Sequence, residues 1–320
     1  MRFSSYVLRR AVFAVVTIFV AITLNFVLFR TLPGSAVQDL TRVPHASPQL
    51  RAALTHEFGL DKSKWQQYVA YLGQLTHGNL GVSFQDAQPV NGHLRGSLAQ
   101  TLPWILAGTF LSIVVGVVTG FVAAWRRGGW IDYVTTTTAM VMYALPTQFL
   151  GMLMLMWLGG HFATGAGSAI DQFFHQGPSV VSSAFSRMVM PTTTLVLTLY
   201  GEYTLVVRSA MLETLGEDYI LTARAKGLRP RAVVVRHALR NALLPVATLV
   251  ALSLGYIVAG AILIEEVFTY PGIGYEIFKA ISYRDYPVLQ GAFLLLTISV
   301  IFFNFVADLV YFKLDPRITV

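Results

Sequence analysis

The sequence predicts an all-α membrane protein with six transmembrane helices. Three observations carry that prediction. Hydrophobic residues fill 55% of the 320 positions and charged residues only 12%, against about 25% charged in a typical soluble domain. Apolar runs recur with lengths near the roughly 20 residues that a helix needs to cross a bilayer. Lysine and arginine gather on alternate connections between those runs, and that asymmetry sets orientation.

The first run is Ala11–Phe29, "AVFAVVTIFVAITLNFVLF", preceded by Arg9 and Arg10. A cleaved leader would carry a shorter apolar core of about 7–15 residues, so this segment reads as a span. The second is Leu98–Ala124, with Pro103 near its start and a "GVVTG" pattern, Gly116–Gly120, that lets another helix approach closely. The third is Tyr133–Leu158, and Pro146 inside it calls for a kink or a break. The fourth is Met188–Val207, with Pro191 near its start. The fifth is Ala242–Ile264, with Pro245 in its first turn, and the sixth is Val288–Phe312. Proline is tolerated in a first turn because the N–H it lacks has no helical partner there.

The short "WRRGGW" connection and the basic stretch "EDYILTARAKGLRPRAVVVRHALRN" (217–241) fall on the same side of this plan. They place both termini and that stretch inside the cell. The chain then divides into 1–30, the N-terminal segment and first span; 31–97, an outer segment; 98–312, the remaining spans with the inner loop 208–241; and 313–320, an inner tail. In the outer segment, "SPQLRAALTHEFGL" and "SKWQQYVAYLGQL" read as short amphipathic helices capped by Ser47 and Ser63, with Gly59 and Gly78 suited to their ends. Two further outer loops are 165–186 and 265–287.

The basic stretch has internal order. Glu217 and Asp218 suit a helix N-terminus, Lys226 and Gly227 suit its end, and Pro230 suits the start of a second helix. A polybasic lipid anchor needs no such order, although anionic lipid attracts some of these arginines. Nucleic-acid binding is disfavoured, because the stretch lies between two spans without interleaved aromatics. A docking surface for another protein fits best.

The chemistry-bearing motifs are few. The chain has no phosphate-cradling Walker loop, no His-Glu-x-x-His zinc motif and no Gly-x-Ser-x-Gly nucleophile turn. Seven scattered histidines and no cysteine point to no metal site and no thiol chemistry. No catalytic residue, metal or cofactor is expected. Glu202, inside the fourth span, is either a pathway-lining carboxylate or a partner of Tyr200 or Tyr203; Tyr203 and the Pro146 break join it as candidate pathway residues. Asp308 near the inner end of the sixth span reads as structural.

"EDYILTARAKGLRPRAVVVRHALRNALLPV" resembles the inner loop of permeases from ABC importers, in the form found in the dipeptide/oligopeptide/nickel family. "LPGS", "FGLDKSKWQQYVAYLGQLTHGNLGVSFQDAQPV", "EEVFTYPGIGYEIFKAISYRDYPVLQG" and "NFVADLVYFKLDPRI" resemble its other blocks, so the likeness covers most of the chain. The resemblance implies one six-helix half of a type I importer, the first of two permeases, in a bacterial inner membrane. It implies a second homologous permease, two ATP-binding subunits inside and a solute-binding protein outside, with ATP hydrolysed on those partners and none on this chain. By motif, Ala223, Arg224, Ala225, Lys226 and Gly227 would couple to an ATPase, with Glu217 and Asp218 at the entry and Arg229 beyond. Tyr270, Pro271, Gly272, Ile273 and Gly274 would contact the binding protein.

Leu221, Thr222 and Ala223 stand where the general loop has Glu-Ala-Ala, a departure shared by the peptide branch. Thr204 stands where a basic residue is expected. Di- or oligopeptides are the expected cargo, with nickel chelates or glutathione-like compounds as the alternative within the same fold. An ion-coupled carrier is the alternative outside it, but no internal repeat is visible. A non-transporting scaffold is the third class.

Overall fold

The computed structural model describes residues 3–31, 61–158 and 178–314, and the described residues are helical apart from short connections and one isolated bridge, Val82 to Pro89. In chain order the helices are α1 Phe3–Thr31, α2 Lys64–Thr76, α3 Val90–Trp125, α4 Trp130–Ala144, α5 Thr147–Leu158, α6 Pro178–Leu215, α7 Asp218–Ala225, α8 Pro230–Ala232, α9 Arg240–Val267, α10 Ile273–Tyr283 and α11 Tyr286–Leu314. A π-helical stretch, Val233–Leu239, joins α8 to α9 without a break. Four of the described helices are long and apolar enough to cross a membrane, and the bent pair α4–α5 makes a fifth.

The spans outgrow their apolar runs. α3 begins at Val90 and α6 at Pro178, well ahead of the runs at Leu98 and Met188. Pro103 and Pro191 are therefore interior and not in first turns, and Pro245 is likewise interior to α9. Membrane helices accommodate such prolines because neighbouring helices re-satisfy the freed carbonyl. Pro146 acts more strongly. The residue before a proline is pushed out of helical geometry, and Leu145 sits at ψ 134°. The expected third span is two helices bent by 101°.

α3 and α6 form the most extensive helix pair. Gly108, Ser112, Gly116, Gly120 and Ala124 recur every fourth residue along α3, all buried. A side chain at Gly116 would overlap Tyr203 and the Tyr200 carbonyl, and one at Gly120 would overlap Val207 and the Thr204 carbonyl. The small-residue pattern is the seam that brings the two backbones together. Thr119 and Thr204 hydroxyls meet across it at 2.7 Å.

α3 is 36 residues long, or about 54 Å at 1.5 Å per residue. At its start Val90 and Leu94 pack with Ile273, Ile277 and Leu289. At its end Ala124 packs with Ile220, Ala223 and Val233. α11 leaves the first of these clusters and runs the same way, and α1 lies against it. Arg10 pairs with Asp308 at 3.0 Å, and Asn25 Nδ2 donates to the Gln290 carbonyl at 3.0 Å. The start of α1 and the end of α11 are therefore at the same end of the bundle as α7.

In the outer segment Ser63 caps α2. Its hydroxyl accepts from Gln66 N while Gln66 Oε1 accepts from Ser63 N, a reciprocal box. Gly78 follows the helix at φ +68°. The other predicted outer helix, with Ser47 and Gly59, lies outside the described residues, as does most of the 165–186 loop. The 265–287 segment is not a plain loop. It contains α10, whose Ile273, Ile277 and Ala280 fall on one buried face.

Candidate functional site

The basic stretch folds as the sequence punctuates it. Glu217 is the N-cap of α7, with extended backbone. Ile220 and Ala223, three residues apart and so on one face, are buried against Val207, Met211, Val233, Ala238 and Ala242. Asn241 Nδ2 donates to Tyr219 Oη at 2.7 Å and ties α7 to the start of α9. Gly227 then turns left-handed, at φ +76°. Its N–H donates to the Arg224 carbonyl at 2.9 Å, and Leu228 N donates to the Ala223 carbonyl at 3.4 Å. That nested pair is the Schellman stop, which glycine supplies at the least steric cost. Arg229 caps the next helix and Pro230 is its first residue.

The result is a hairpin pinned from behind. Glu217, Asp218, Arg224, Ala225, Lys226, Gly227 and Arg229 are all exposed, and so are Leu221 and Leu228. A surface that offers two leucines among arginines and a lysine suits a groove on another protein.

Beside it stands an ion pair that sequence reading did not anticipate. Arg208 Nε donates to Asp132 Oδ1 at 2.6 Å and Arg208 Nη2 to Oδ2 at 2.9 Å, a two-pronged bond. Gly128 N, from the "RRGG" turn at φ +77°, adds a third donor at 2.9 Å, and Thr136 Oγ1 a fourth at 3.2 Å. The pair fastens the start of α4 to the last turns of α6, just before the hairpin. The signal was present: Asp132 is the one acid in the first turn of a helix that follows Gly-Gly.

At the other end of α3, Glu265 is fully buried. Thr101 Oγ1 donates to Oε1 at 2.6 Å, Trp104 Nε1 at 3.1 Å, and Gly274 N to Oε2 at 2.7 Å. Thr101 Oγ1 also accepts from Ile273 N at 2.9 Å. The carboxylate thus gathers α3, α9 and the start of α10 at one point, where the helix N-terminus adds a favourable field. Any side chain at Gly272 would collide with it. Tyr270 Oη donates to the Gln100 carbonyl at 3.3 Å.

This clasp changes the part played by the Tyr270–Gly274 turn. Tyr270, Gly272, Ile273 and Gly274 are buried in the subunit itself, and Pro271 is half-buried. Their side chains are spent on internal packing, so the outward surface here belongs to neighbours such as Phe278 and Tyr283. Glu265 lies in the last turn of α9 and not in a loop. Its neighbours along the chain give no sign that two helix-start N–H groups return to it.

Nearby, Asp285 accepts from Ser83 Oγ at 2.5 Å and from Phe84 N at 3.2 Å, locking the 82–89 turn to the start of α11. His93 lies between two acids, 3.0 Å from Asp86 and 3.4 Å from Glu276. Burial raises the Asp86 pKa, but the Gln88 N–H, the Ser83 hydroxyl and His93 outweigh it and hold the carboxyl below its ordinary value.

The three candidate pathway residues part company. Pro146 is exposed at the α4–α5 bend. Tyr203 is fully buried at the α3 seam, and its hydroxyl donates to Ser253 Oγ at 3.1 Å. Glu202, one residue away, is half-buried and makes no hydrogen bond or ion pair with another described residue, so neither Tyr200 nor Tyr203 reaches it. No group of residues suited to hold a metal occurs among the described residues.

A family model described as "Binding-protein-dependent transport system inner membrane component" matches residues 116–320. The chain belongs to this family. The companion N-terminal model of such systems matches residues 3–104. Among curated relatives, the di/tripeptide transport system permease protein DppB of Pseudomonas aeruginosa (strain UCBPP-PA14) is 36% identical over 330 residues, covering 98% of each chain. The dipeptide transport system permease protein DppB of Escherichia coli (strain K12) is 35% identical over 333 residues, again covering 98% of each. A putative peptide permease protein of Brucella suis biovar 1 (strain 1330) is 37% identical over 329 residues, covering 98% of this chain and 99% of that one. A solved structure titled "Crystal structure of an amino acid ABC transporter with histidines" matches with a TM-score of 0.50 at 14% identity, covering 70% of this chain and 94% of the other. At that identity the match speaks for the fold alone. The chain is a multi-pass inner-membrane permease subunit, and its apolar helices agree with that placement.

Proposed function

We propose that this chain is the permease subunit of an ATP-driven importer of di- or oligopeptides, and that it supplies half of the translocation pathway. The pinned hairpin carries the reading. Ile220 and Ala223 hold α7 against the ends of α3, α6 and α9, while Leu221, Arg224, Lys226, Leu228 and Arg229 face outward. A short helix with a fixed stop and a fixed restart is a lever. Force applied to its exposed face passes into the bundle through the buried one.

In this reading six spans cross the membrane with both termini inside. The start of α1, the end of α11 and the hairpin share one end of the bundle, which supports that topology. A second homologous permease completes the pathway. Two ATPase subunits bind inside, one of them at Glu217–Arg229, and their closure on ATP drives the change from inward-open to outward-open. A solute-binding protein meets the opposite end, on the exposed surfaces around α2 and α10. The named cargo of the relatives supports peptides as substrate.

Reconstitution of the complete complex in liposomes tests the proposal. Labelled dipeptide accumulation that requires both ATP and the binding protein is the expected result. Uptake that follows an ion gradient without ATP would overturn it.

A further inference from the structure

We propose that Glu202 is the site, within the membrane, that receives the positively charged amino group of the cargo. The inference rests on the peptide-importer reading above and adds a specific contact to it.

Glu202 lies near the middle of the apolar stretch 185–215 of α6. An ionised carboxylate at that depth is costly unless it faces water, a cavity or a partner. Three acids in the described spans have partners: Asp132 has Arg208, Asp308 has Arg10, and Glu265 has Thr101, Trp104 and Gly274. Glu202 has none among the described residues. Glu213 and Glu266 also lack one, but each lies within two residues of its helix end, whereas Glu202 lies at mid-span, where an unpartnered carboxylate costs most.

Helix geometry says which way it points. Tyr200, Tyr203, Thr204 and Val207 turn toward α3, where Gly116 and Gly120 meet them. Gly201 and Arg208 turn toward α4, against Ala139 and Asp132. At about 100° per residue, Glu202 falls away from both, on a helix that α9 and α5 also pack against. Thr198 lies one turn before it on that side and is half-buried, and Ser209 lies further along, exposed. A carboxylate is costly against lipid, so in this proposal the side carrying Glu202, Thr198 and Ser209 faces the pathway.

The chemistry selects the ligand. The Thr198 hydroxyl donates to the Thr194 carbonyl at 2.9 Å, which leaves its oxygen lone pairs free to accept. A carboxylate and a hydroxyl oxygen one turn apart are acceptors without donors. An ammonium group carries three N–H donors and a positive charge, and it matches both. A hard metal ion would want six or more oxygen ligands, which this side does not assemble.

The test uses the complete complex in liposomes, with its binding protein and labelled Ala-Ala, and reads dipeptide moved per ATP hydrolysed. Glu202→Gln keeps the shape and removes the charge, and the expected ratio falls about tenfold. Stimulation of ATP hydrolysis by the loaded binding protein persists, because the hairpin and the seam are untouched. Glu202→Asp restores most of the ratio. A Glu202→Gln ratio within threefold of wild type would overturn the inference and leave the importer reading intact. So would a Glu202→Asp variant as poor as Glu202→Gln. A wild-type complex that moves no dipeptide while hydrolysing ATP would overturn both.

Discussion

Replacing Gly227 separates the shape of the hairpin from its charge. The residue sits at φ +76°, and a Cβ added there would meet nothing within 4 Å. Crowding therefore contributes nothing, and the whole effect comes from the backbone. An alanine in left-handed geometry costs roughly 1–2 kcal/mol, whereas asparagine visits it readily. A β-branched valine is a still worse fit, at about 2 kcal/mol or more. An α7 of eight residues has little reserve of its own, because helices this short are marginal alone. The loss therefore falls on the population of the correctly stopped hairpin, about fivefold or more for alanine and about thirtyfold for valine. The assay is dipeptide moved per ATP in the reconstituted complex, with thermal stability in detergent as the control for folding. Gly227→Asn should work nearly as well as wild type, Gly227→Ala several-fold worse, and Gly227→Val worst, all with near-normal melting. A valine variant that transports normally would refute the lever. An asparagine variant as poor as valine would refute the left-handed turn as the reason.

Other outcomes follow from the same geometry. Asp132→Asn leaves the Arg208 guanidinium short of its acceptor and should cost about 2–3 kcal/mol of stability; adding Arg208→Met should recover part of the loss, and a double-mutant cycle by thermal melting checks the coupling. Gly116→Val and Gly120→Val force side chains into the α6 backbone and should each destabilise by about 1–3 kcal/mol or more. Gly96→Ala in the same helix, with open space around it, should stabilise by up to about 1 kcal/mol. Glu265→Ala strands the Gly274 N–H and the Thr101 and Trp104 donors, and hydrogen exchange should show α10 opening first; unchanged protection of α10 would remove Glu265 as its anchor.

Much of this was legible from local patterns. The hairpin could be read because each of its marks is short-range: an acid pair before α7, Gly227 after it, and Pro230 to restart. The Pro146 break was legible for the same reason. Helix limits were less so, since α3 and α6 begin in polar residues that membrane patterning does not count. What sequence could not supply were pairings between distant positions. Asp132 finds Arg208 and Glu265 finds Gly274 only after the bundle has formed. Gly116 and Gly120 were visible as a pattern, but only the facing backbone of α6 makes them a seam. The Tyr270–Gly274 turn shows the opposite error: its proline and glycines announce a surface turn, and a buried carboxylate draws it inward.

The glycine seam has a mechanical consequence. Side chains that interlock can yield, because rotamers and methyl groups reshuffle under load. Two backbones in direct contact have no such slack. The α3–α6 pair is therefore the stiff member of this subunit, with compliance left to the Pro146 bend and the π-helical stretch before α9. In the proposed lever, a push delivered at the hairpin would pass along the seam to the end about 50 Å away, where Val90 and Leu94 meet α10.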